Sequence, residues 1–137
     1  MSNAVKKIVL VIEDEEPILN IIGFKFKQKG FTVISARSAD QALDFMNHIA
    51  HIDFIWLDHY LEGNKSGLEF VSVVKQENSS WSEVPIFLVS NTSYPDKHQA
   101  YIALGVEKYY TKSNHSLMSI VDDAQLYLTK NDPERIV

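Results

Sequence analysis

The chain has 137 residues, of which 45% are hydrophobic, so it is large enough for one domain with a full core that needs no disulfide or metal staple. It contains no cysteine, which excludes a disulfide framework, a thiolate metal site and a cysteine nucleophile, and agrees with a cytoplasmic location. The net charge of -5 and the scattered Lys and Arg residues argue against direct nucleic-acid binding. The longest apolar run, residues 8–12, is far shorter than the roughly 20 residues that span a bilayer, so we expect no membrane insertion.

Short apolar runs alternate with amphipathic segments along the chain, which is typical of an α/β protein whose parallel sheet is covered by helices on both faces. We expect one domain over residues 6–129, with a leader at residues 1–5 and a tail at residues 130–137. The predicted strands cover residues 7–12, 32–35, 54–57, 85–89 and 107–110.

The first two predicted helices carry clear start and stop signals. Pro17 lies near the start of the first helix, where its missing N–H costs no hydrogen bond, and Gly30 ends that helix. Ser38 is a good N-cap for the second helix, which we expect to end near Ala50. Helical spacing predicts two buried stripes, formed by Ile18, Ile21, Ile22 and Phe26 in the first helix and by Ala39, Ala42, Leu43, Met46 and Ile49 in the second.

The last three predicted helices differ in the strength of their apolar stripes. The third covers about residues 67–76 and the last about residues 117–128, and each has a continuous stripe. The fourth, at about residues 96–104, has the weakest stripe, and we expect Ala100 and Ala103 to do most of its packing. Its low apolar content predicts a more mobile element.

Polar side chains with phosphate or metal chemistry follow four of the five predicted strands. Glu13 and Asp14 come directly after the first strand, Asp58 after the third, Ser90 after the fourth, and Lys112 close to the end of the fifth. The carboxyl ends of parallel strands meet at one edge of the sheet, where open α/β sheets bind ligands. Three carboxylates, a hydroxyl and an ammonium group at this edge predict a site for a divalent metal and for phosphoryl transfer.

Each of these residue types fits one part of that chemistry. Mg²⁺ prefers oxygen ligands and keeps several waters, so Glu13 and Asp14 are suited to hold it directly or through water, together with Asp58. Asp58 stands alone at its strand end and is the natural nucleophile, because an ionised aspartate can attack phosphorus when a cation screens the charge. Lys112 can pair with Asp58 and then with a phosphoryl oxygen, and Ser90 can donate a hydrogen bond to another. Acidic residues also cap helices, so the argument depends on their co-occurrence at one edge.

Four segments resemble the response-regulator receiver domain of two-component signalling, and the resemblance covers about residues 6–129. It implies a doubly wound five-stranded parallel sheet of order 2-1-3-4-5, which is a flavodoxin-like or CheY-like three-layer sandwich. The segments are the acidic motif at residues 11–15, the phosphoacceptor region at residues 53–61 with residues 67–69, the fourth strand at residues 85–90, and the lysine-bearing strand at residues 105–112.

The resemblance also implies a function and a mechanism. Asp58 is the expected phosphoacceptor of a phosphorelay, with Mg²⁺ as cofactor and the backbone carbonyl of Tyr60 as a further metal ligand. In the implied switch, Ser90 moves toward the phosphoryl group and Tyr109 turns inward, which reshapes the face made by the fourth helix, fifth strand and fifth helix.

The same resemblance implies the partners. The phosphoryl donor is expected to be a histidine kinase or a histidine phosphotransfer protein, and a downstream protein is expected to bind the reshaped face. Phosphorylation-dependent dimerisation is also compatible with the resemblance. The chain then catalyses only its own phosphorylation and dephosphorylation.

Three positions depart from the family pattern. Ser113 follows Lys112 where Pro is usual, so the last loop is expected to hold the lysine less rigidly. Glu62 also replaces a usual Pro, and Asn91 stands after Ser90 where Ala or Ser is typical. Because the bulk of Asn91 lies beside the acceptor, we expect an altered phosphoryl lifetime.

Two neighbours of Asp58 have simpler interpretations. His59 is expected to point to the opposite sheet face from Asp58 and to be a satisfied or solvent-facing histidine. Trp56 is expected to be a core aromatic on the same strand face as Asp58, which makes its fluorescence a reporter of the site.

Other functions fit the sequence less well. A receiver-like interaction module that works without phosphorylation is favoured by the two missing prolines, but Asp58 and Lys112 argue against it. A hydrolase of the haloacid-dehalogenase type needs a second aspartate two residues after the nucleophile, where this chain has Tyr60. A flavin-binding flavodoxin needs a phosphate-binding first loop with Ser, Thr and Gly in place of residues 13–15.

Overall fold

The computed structural model describes residues 6–59, 65–91 and 95–130, without the side chains of residues 95 and 96. Strands and helices alternate along these residues. The strands are β1 (Ile8–Ile12), β2 (Thr32–Ala36), β3 (Phe54–Asp58), β4 (Ile86–Ser90) and β5 (Lys108–Thr111). The helices are α1 (Glu16–Gln28), α2 (Ala39–Met46), α3 (Gly67–Val74), α4 (Pro95–Leu104) and α5 (Leu117–Lys130).

All neighbouring strands are parallel, and their order is β2-β1-β3-β4-β5. The register places Ile12 beside Leu57, Asp58 beside Val89, and Ser90 beside Thr111, so the carboxyl ends of the central strands lie nearly level. This confirms the predicted fold class, a doubly wound, flavodoxin-like α/β sandwich.

The strands divide the apolar core into two layers, because successive side chains point to opposite faces of the sheet. Leu10 and Ile12 of β1 face the layer of α2, α3 and α4, whereas Val9 and Val11 face the layer of α1 and α5. Each fully buried large apolar side chain stabilises the fold by roughly 1.5–3 kcal/mol, so both layers of helices are held mainly by this burial.

The ends of α1 and α2 follow local signals. Gly30 lies just beyond α1 with a φ of 91°, a left-handed conformation that glycine adopts without strain, and the Ser38 hydroxyl accepts a hydrogen bond from the Gln41 N–H. Both predicted signals are confirmed. The prediction that α2 runs to about Ala50 is wrong, because the helix ends at Met46 and the chain tightens into a turn in which His48 N–H donates to the Phe45 carbonyl.

Two predicted packing stripes need correction. In α1 the inward face is formed by Leu19, Ile22 and Phe26, and Ile21 is 50% exposed. In α4 the fully buried residue is Tyr101, whereas Ala103 is exposed. A single large aromatic ring therefore replaces the two alanines as the main anchor of α4, and partly buried Leu104, three residues further on, packs on the same core.

Within the described residues, no helix is both long and apolar enough to cross a membrane. Helix α5 continues to Lys130, the residue at which the predicted tail begins. The predicted leader, the rest of the predicted tail and the loop with Tyr60 and Glu62 lie outside the described residues.

Candidate functional site

The fold brings the predicted site residues to one edge of the sheet. Glu13 follows β1, Asp58 ends β3, Ser90 ends β4 and Lys112 follows β5. Backbone hydrogen bonds fix two of these junctions, because Glu13 N–H donates to the Ala36 carbonyl at 3.0 Å and Lys112 N–H donates to the Ser90 carbonyl at 2.7 Å. The side chains therefore start from backbone positions that the sheet itself sets.

Three carboxylates form a compact acidic cluster at this edge. Glu13, Asp14 and Asp58 each place one carboxylate oxygen within 4.8 Å of those of the other two. Glu13 and Asp58 are buried, and Asp14 is partly buried. Asp58 Oδ1 is buried and accepts no hydrogen bond within the described part of the chain. Ionising a buried carboxyl oxygen that accepts no hydrogen bond is costly, so this cluster of hard oxygen donors fits a cation such as Mg²⁺.

Lys112 reaches the cluster from β5. Its ammonium donates a hydrogen bond to Glu13 Oε1 at 3.1 Å and lies 3.9 Å from Asp58 Oδ1, beyond hydrogen-bonding distance. Lys112 therefore lies within ion-pair distance of Asp58, as predicted, but its hydrogen bond goes to Glu13. One ammonium group faces three carboxylates, so the site keeps an excess of negative charge.

This environment shifts the titration of Asp58. Burial, followed by the charge of Glu13, raises the pKa of Asp58 from 3.8 to about 8, although Lys112 acts in the opposite direction. In the absence of a divalent cation, the carboxyl group therefore holds a proton near neutral pH. A cation in the cluster favours the ionised form, which is the form that can act as a nucleophile.

The two predicted switch residues lie at different depths. Ser90 is fully buried at the end of β4, and its register partner Thr111 directly precedes Lys112. Tyr109 is partly buried in β5, and its ring stacks on His98 of α4 with a centroid distance of 4.7 Å and an angle of 8°. Ser90 thus belongs to the acidic edge, whereas Tyr109 lies at the contact between α4 and β5.

Arg37 was not identified from the sequence. Its Nε and Nη2 atoms donate to the Asp14 carbonyl at 3.2 and 2.8 Å, and Nη1 lies 3.7 Å from Glu16 Oε2. This guanidinium group therefore holds the loop that carries Asp14. The signal was available, because Arg37 directly follows β2, which is the neighbour of β1.

The loop after Lys112 closes without proline. Asn114 donates from its backbone N–H to the Thr111 carbonyl at 3.1 Å and from its side-chain amide to Thr111 Oγ1 at 2.8 Å. His115 adds an edge-to-face contact with the Tyr110 ring at 5.1 Å. These contacts constrain the loop that carries the lysine at the position where Ser113 replaces the usual proline.

His59 points away from the cluster, as expected. Its Nδ1 atom is hydrogen-bonded to the Tyr101 hydroxyl at 2.5 Å, and Tyr101 belongs to the core layer of α2, α3 and α4. Trp56, two residues before Asp58, is fully buried in the opposite layer. Burial, followed by the charge of Lys97, lowers the pKa of His59 and favours a neutral imidazole.

The chain combines a doubly wound parallel sheet with an acidic cluster and a lysine at the carboxyl ends of the strands. The sequence profile described as "Response regulator receiver domain" matches residues 9–125, and the chain belongs to this family. The phosphate regulon transcriptional regulatory protein PhoB of Klebsiella pneumoniae is 31% identical over 104 residues, which are 76% of this chain and 44% of PhoB. The chain therefore spans less than half the length of this relative.

Solved structures show the same fold. The phosphorylated cyanobacterial phytochrome response regulator RcpA matches with a TM-score of 0.81 and 21% identity, over 90% of this chain and 94% of RcpA. The Mn²⁺-bound form of response regulator Rcp1 matches with a TM-score of 0.79 and 21% identity, over 91% of this chain and 96% of Rcp1. At these identities the likeness establishes the fold.

Proposed function

We propose that this receiver domain accepts a phosphoryl group on Asp58 from a histidine kinase or a histidine phosphotransfer protein. The observation that carries the proposal is the buried Asp58 Oδ1, which has no hydrogen-bond partner in the described part of the chain and lies 3.9 Å from the Lys112 ammonium. A structural carboxylate in such a place would be hydrogen-bonded. A nucleophile needs a free lone pair directed at its substrate.

The proposed reaction is a transfer between two side chains. An oxygen of ionised Asp58 forms a bond to phosphorus as the bond from phosphorus to the donor imidazole nitrogen breaks, and the electron pair leaves with the imidazole. Glu13, Asp14 and Asp58 would hold Mg²⁺, which when bound supplies the positive charge that screens these carboxylates from the phosphoryl oxygens. The Tyr60 carbonyl is a further proposed ligand.

Lys112 and Ser90 are proposed to stabilise the product. The Lys112 ammonium contacts Glu13 and Asp58, so a small movement brings it to a phosphoryl oxygen on Asp58. Ser90 has a hydroxyl at the same edge of the sheet, and we propose that it donates to another phosphoryl oxygen. Tyr109 is proposed to turn inward in response and to change the protein-binding face of α4, β5 and α5.

The related structures support these roles by analogy. RcpA is known in a phosphorylated form and Rcp1 in a Mn²⁺-bound form, and both share the fold of this chain. We expect Mg²⁺ to fill the corresponding role here. A downstream protein that binds the changed face, and a dimer that forms on phosphorylation, complete the proposal.

The test is the intact mass of the protein after incubation with Mg²⁺ and acetyl phosphate. We expect a gain of one phosphoryl group that disappears without divalent metal and in Asp58→Asn. Asp40→Asn is the matched control, since Asp40 is an exposed aspartate in the first turn of α2, and it is expected to retain the gain.

If wild type does not gain mass, a second ligand shows whether the donor was unsuitable or the acceptor site is absent. Fluoroberyllate with Mg²⁺ mimics a phosphoryl group on aspartate and needs no donor specificity. If wild type binds neither, the proposal is wrong, and the alternative of an interaction module that works without phosphorylation takes its place.

A further inference from the structure

The contact between His59 and Tyr101 joins the phosphoacceptor strand to α4. His59 follows Asp58 directly, and its backbone N–H donates to the Val89 carbonyl at 3.4 Å. Its Nδ1 atom lies 2.5 Å from the Tyr101 hydroxyl, and the two rings meet edge to face with centroids 5.4 Å apart. Both side chains are buried, with exposures of 7% and 0%. Because His59 is the next residue, we expect a displacement of the Asp58 backbone to move His59 and so to change its short buried hydrogen bond with Tyr101.

Gly67, the first residue of α3, lies next to the same hydroxyl group. A Cβ atom at Gly67 would clash with the Tyr101 hydroxyl and would lie 3.3 Å from the His59 carbonyl oxygen. The absence of a side chain at Gly67 thus leaves room for the hydrogen bond. The end of β3, the start of α3 and the middle of α4 meet at one hydroxyl group.

The other side of Tyr101 contacts β5. The ring centroids of Tyr101 and Tyr109 lie 6.1 Å apart, and the ring of His98, also on α4, stacks on that of Tyr109. The Tyr101 carbonyl accepts a hydrogen bond from Val106 N–H at 3.1 Å, which ties the end of α4 to the segment before β5. Tyr101 of α4 therefore contacts both His59 and the predicted switch residue Tyr109.

Helix α4 has few other anchors. Among its described side chains, from Lys97 to Leu104, only Tyr101 is fully buried, and Ile102 is 43% exposed. Breaking this hydrogen bond inside the buried layer is unfavourable, because the two polar groups lose it without gaining contact with water. If His59 moves, we therefore expect α4 to move with it while the hydrogen bond is kept. If the hydrogen bond breaks, we expect α4 to shift to a new position.

We propose that the hydrogen bond between His59 and Tyr101 is the positioning contact that transmits a change at Asp58 to α4 and Tyr109. Neither residue touches the reacting atoms, so both act through their neighbours. The inference rests on the proposed function, because it requires a phosphoryl group or its mimic on Asp58. It assigns to this chain a path from the site to α4 that passes through side chains on the far face of the sheet from Asp58.

The experiment is hydrogen exchange of α4 amides, measured by mass spectrometry with Mg²⁺ and with Mg²⁺ plus fluoroberyllate. We expect fluoroberyllate to change exchange in α4 of wild type and to leave it unchanged in Tyr101→Phe. The Phe variant keeps the ring and loses only the hydroxyl. Without fluoroberyllate, its α4 amides are expected to exchange about five-fold faster, which corresponds to about 1 kcal/mol at 1.4 kcal/mol per factor of ten.

The matched control is Tyr110→Phe. The Tyr110 hydroxyl donates to Asp123 Oδ2 at 2.9 Å between β5 and α5, so this variant removes one hydroxyl hydrogen bond elsewhere in the fold. It is expected to keep the full α4 response. Two variants approach the bond from the other side: His59→Leu is expected to lose the response, whereas His59→Asn, whose amide reaches the position of Nδ1, is expected to keep it.

The possible outcomes separate this inference from the proposed function. Binding is followed by the ¹⁹F signal of bound fluoroberyllate. If wild type binds and responds, and Tyr101→Phe or a folded His59→Leu responds equally, the inference is wrong and the phosphoacceptor stands. If wild type binds without any response in α4, the inference is also wrong. If wild type does not bind, the proposed function itself fails.

Discussion

The two aspartates that flank β3 have opposite surroundings. Asp53, just before the strand, has both oxygens engaged: Oδ2 accepts from Ile8 N–H at 2.8 Å, and Oδ1 lies 2.6 Å from His51 Nε2. Asp58, at the other end, has a buried Oδ1 that accepts no hydrogen bond in the described structure and two carboxylates as neighbours. One carboxylate holds the fold together. The other lies beside two carboxylates, and burial together with the charge of Glu13 raises its pKa to about 8.

The largest expected effect is at Asp58. Because burial and Glu13 raise its pKa to about 8, ionising this group at pH 8 opposes folding. Asp58→Asn removes the charge and keeps the shape, and a pKa raised from 3.8 to about 8 corresponds to about 1.4 kcal/mol per unit, so we expect the variant to stabilise the metal-free protein by about 5 kcal/mol at pH 8. Urea denaturation in the presence of a chelator measures this change. If the free energy of unfolding of Asp58→Asn is equal to or lower than that of wild type, ionisation of Asp58 does not oppose folding.

The pH dependence of wild type sharpens the same point. The folded protein binds more protons than the unfolded chain between roughly pH 4 and pH 8, because the pKa of Asp58 is raised from 3.8 to about 8. Stability from the protonated group is therefore complete below about pH 4 and is lost as the pH rises through about 8. Denaturation curves of wild type and Asp58→Asn without metal are expected to diverge over this range.

Metal binding is linked to the same proton. We expect Mg²⁺ binding to release protons below about pH 8 and its apparent affinity to rise with pH over the same range, because Asp58 must ionise to coordinate it. Calorimetry in buffers of different ionisation enthalpy measures the number of protons released. The Asp58→Asn variant is the control and is expected to lack the proton release that arises from this group.

The opposite sign is expected at Asp53. Asp53→Asn keeps an acceptor for Ile8 N–H but weakens the contact with His51, so we expect a destabilisation of about 1 kcal/mol. The measurement is urea denaturation at pH 7, with or without Mg²⁺. A stabilisation would mean that the two ends of β3 do not differ as their hydrogen bonds indicate.

The sequence predicts the acidic edge well because its determinants are local. Strand length and the rule that parallel strands end together place Glu13, Asp58 and Lys112 at one edge, and strand alternation turns His59 away from Asp58. Which oxygen receives the Lys112 hydrogen bond depends on a difference between 3.1 and 3.9 Å, which sequence patterns do not encode.

Helix α4 shows the limit of periodicity. With few apolar residues, a stripe of two alanines and a single tyrosine anchor are both compatible with its pattern, and long-range packing decides between them. The Tyr101 hydroxyl is hydrogen-bonded to His59, which is 42 positions away in sequence, so the contact that accompanies the burial of Tyr101 is long-range. The three-residue spacing of Tyr101 and Leu104 is compatible with a buried face of α4. It does not identify that face without knowledge of the contact with His59.

A smaller effect is expected at the rim of the acidic cluster. Arg37→Gln removes the paired hydrogen bonds to the Asp14 carbonyl and leaves the three carboxylates in place. Because Arg37 is half exposed, we expect little change in stability and a decrease in Mg²⁺ affinity of about three-fold. Titration calorimetry measures this, with Lys29→Gln as control, since Lys29 pairs with Asp122 on the surface between α1 and α5. An affinity equal to that of wild type would show that the Asp14 loop needs no clamp.

The smallest effect is expected at Asn91, which directly follows β4. Asn91 follows Ser90 directly and is exposed, and we expect its side chain to limit the access of water to a phosphoryl group on Asp58. Asn91→Ala shortens this side chain, and we expect the phosphorylated protein to lose its phosphoryl group about two-fold faster, a barrier difference of about 0.4 kcal/mol. Decay is followed by intact mass after removal of acetyl phosphate. A decay rate equal to that of wild type would mean that access at the position of Asn91 does not set the lifetime of the phosphoryl group.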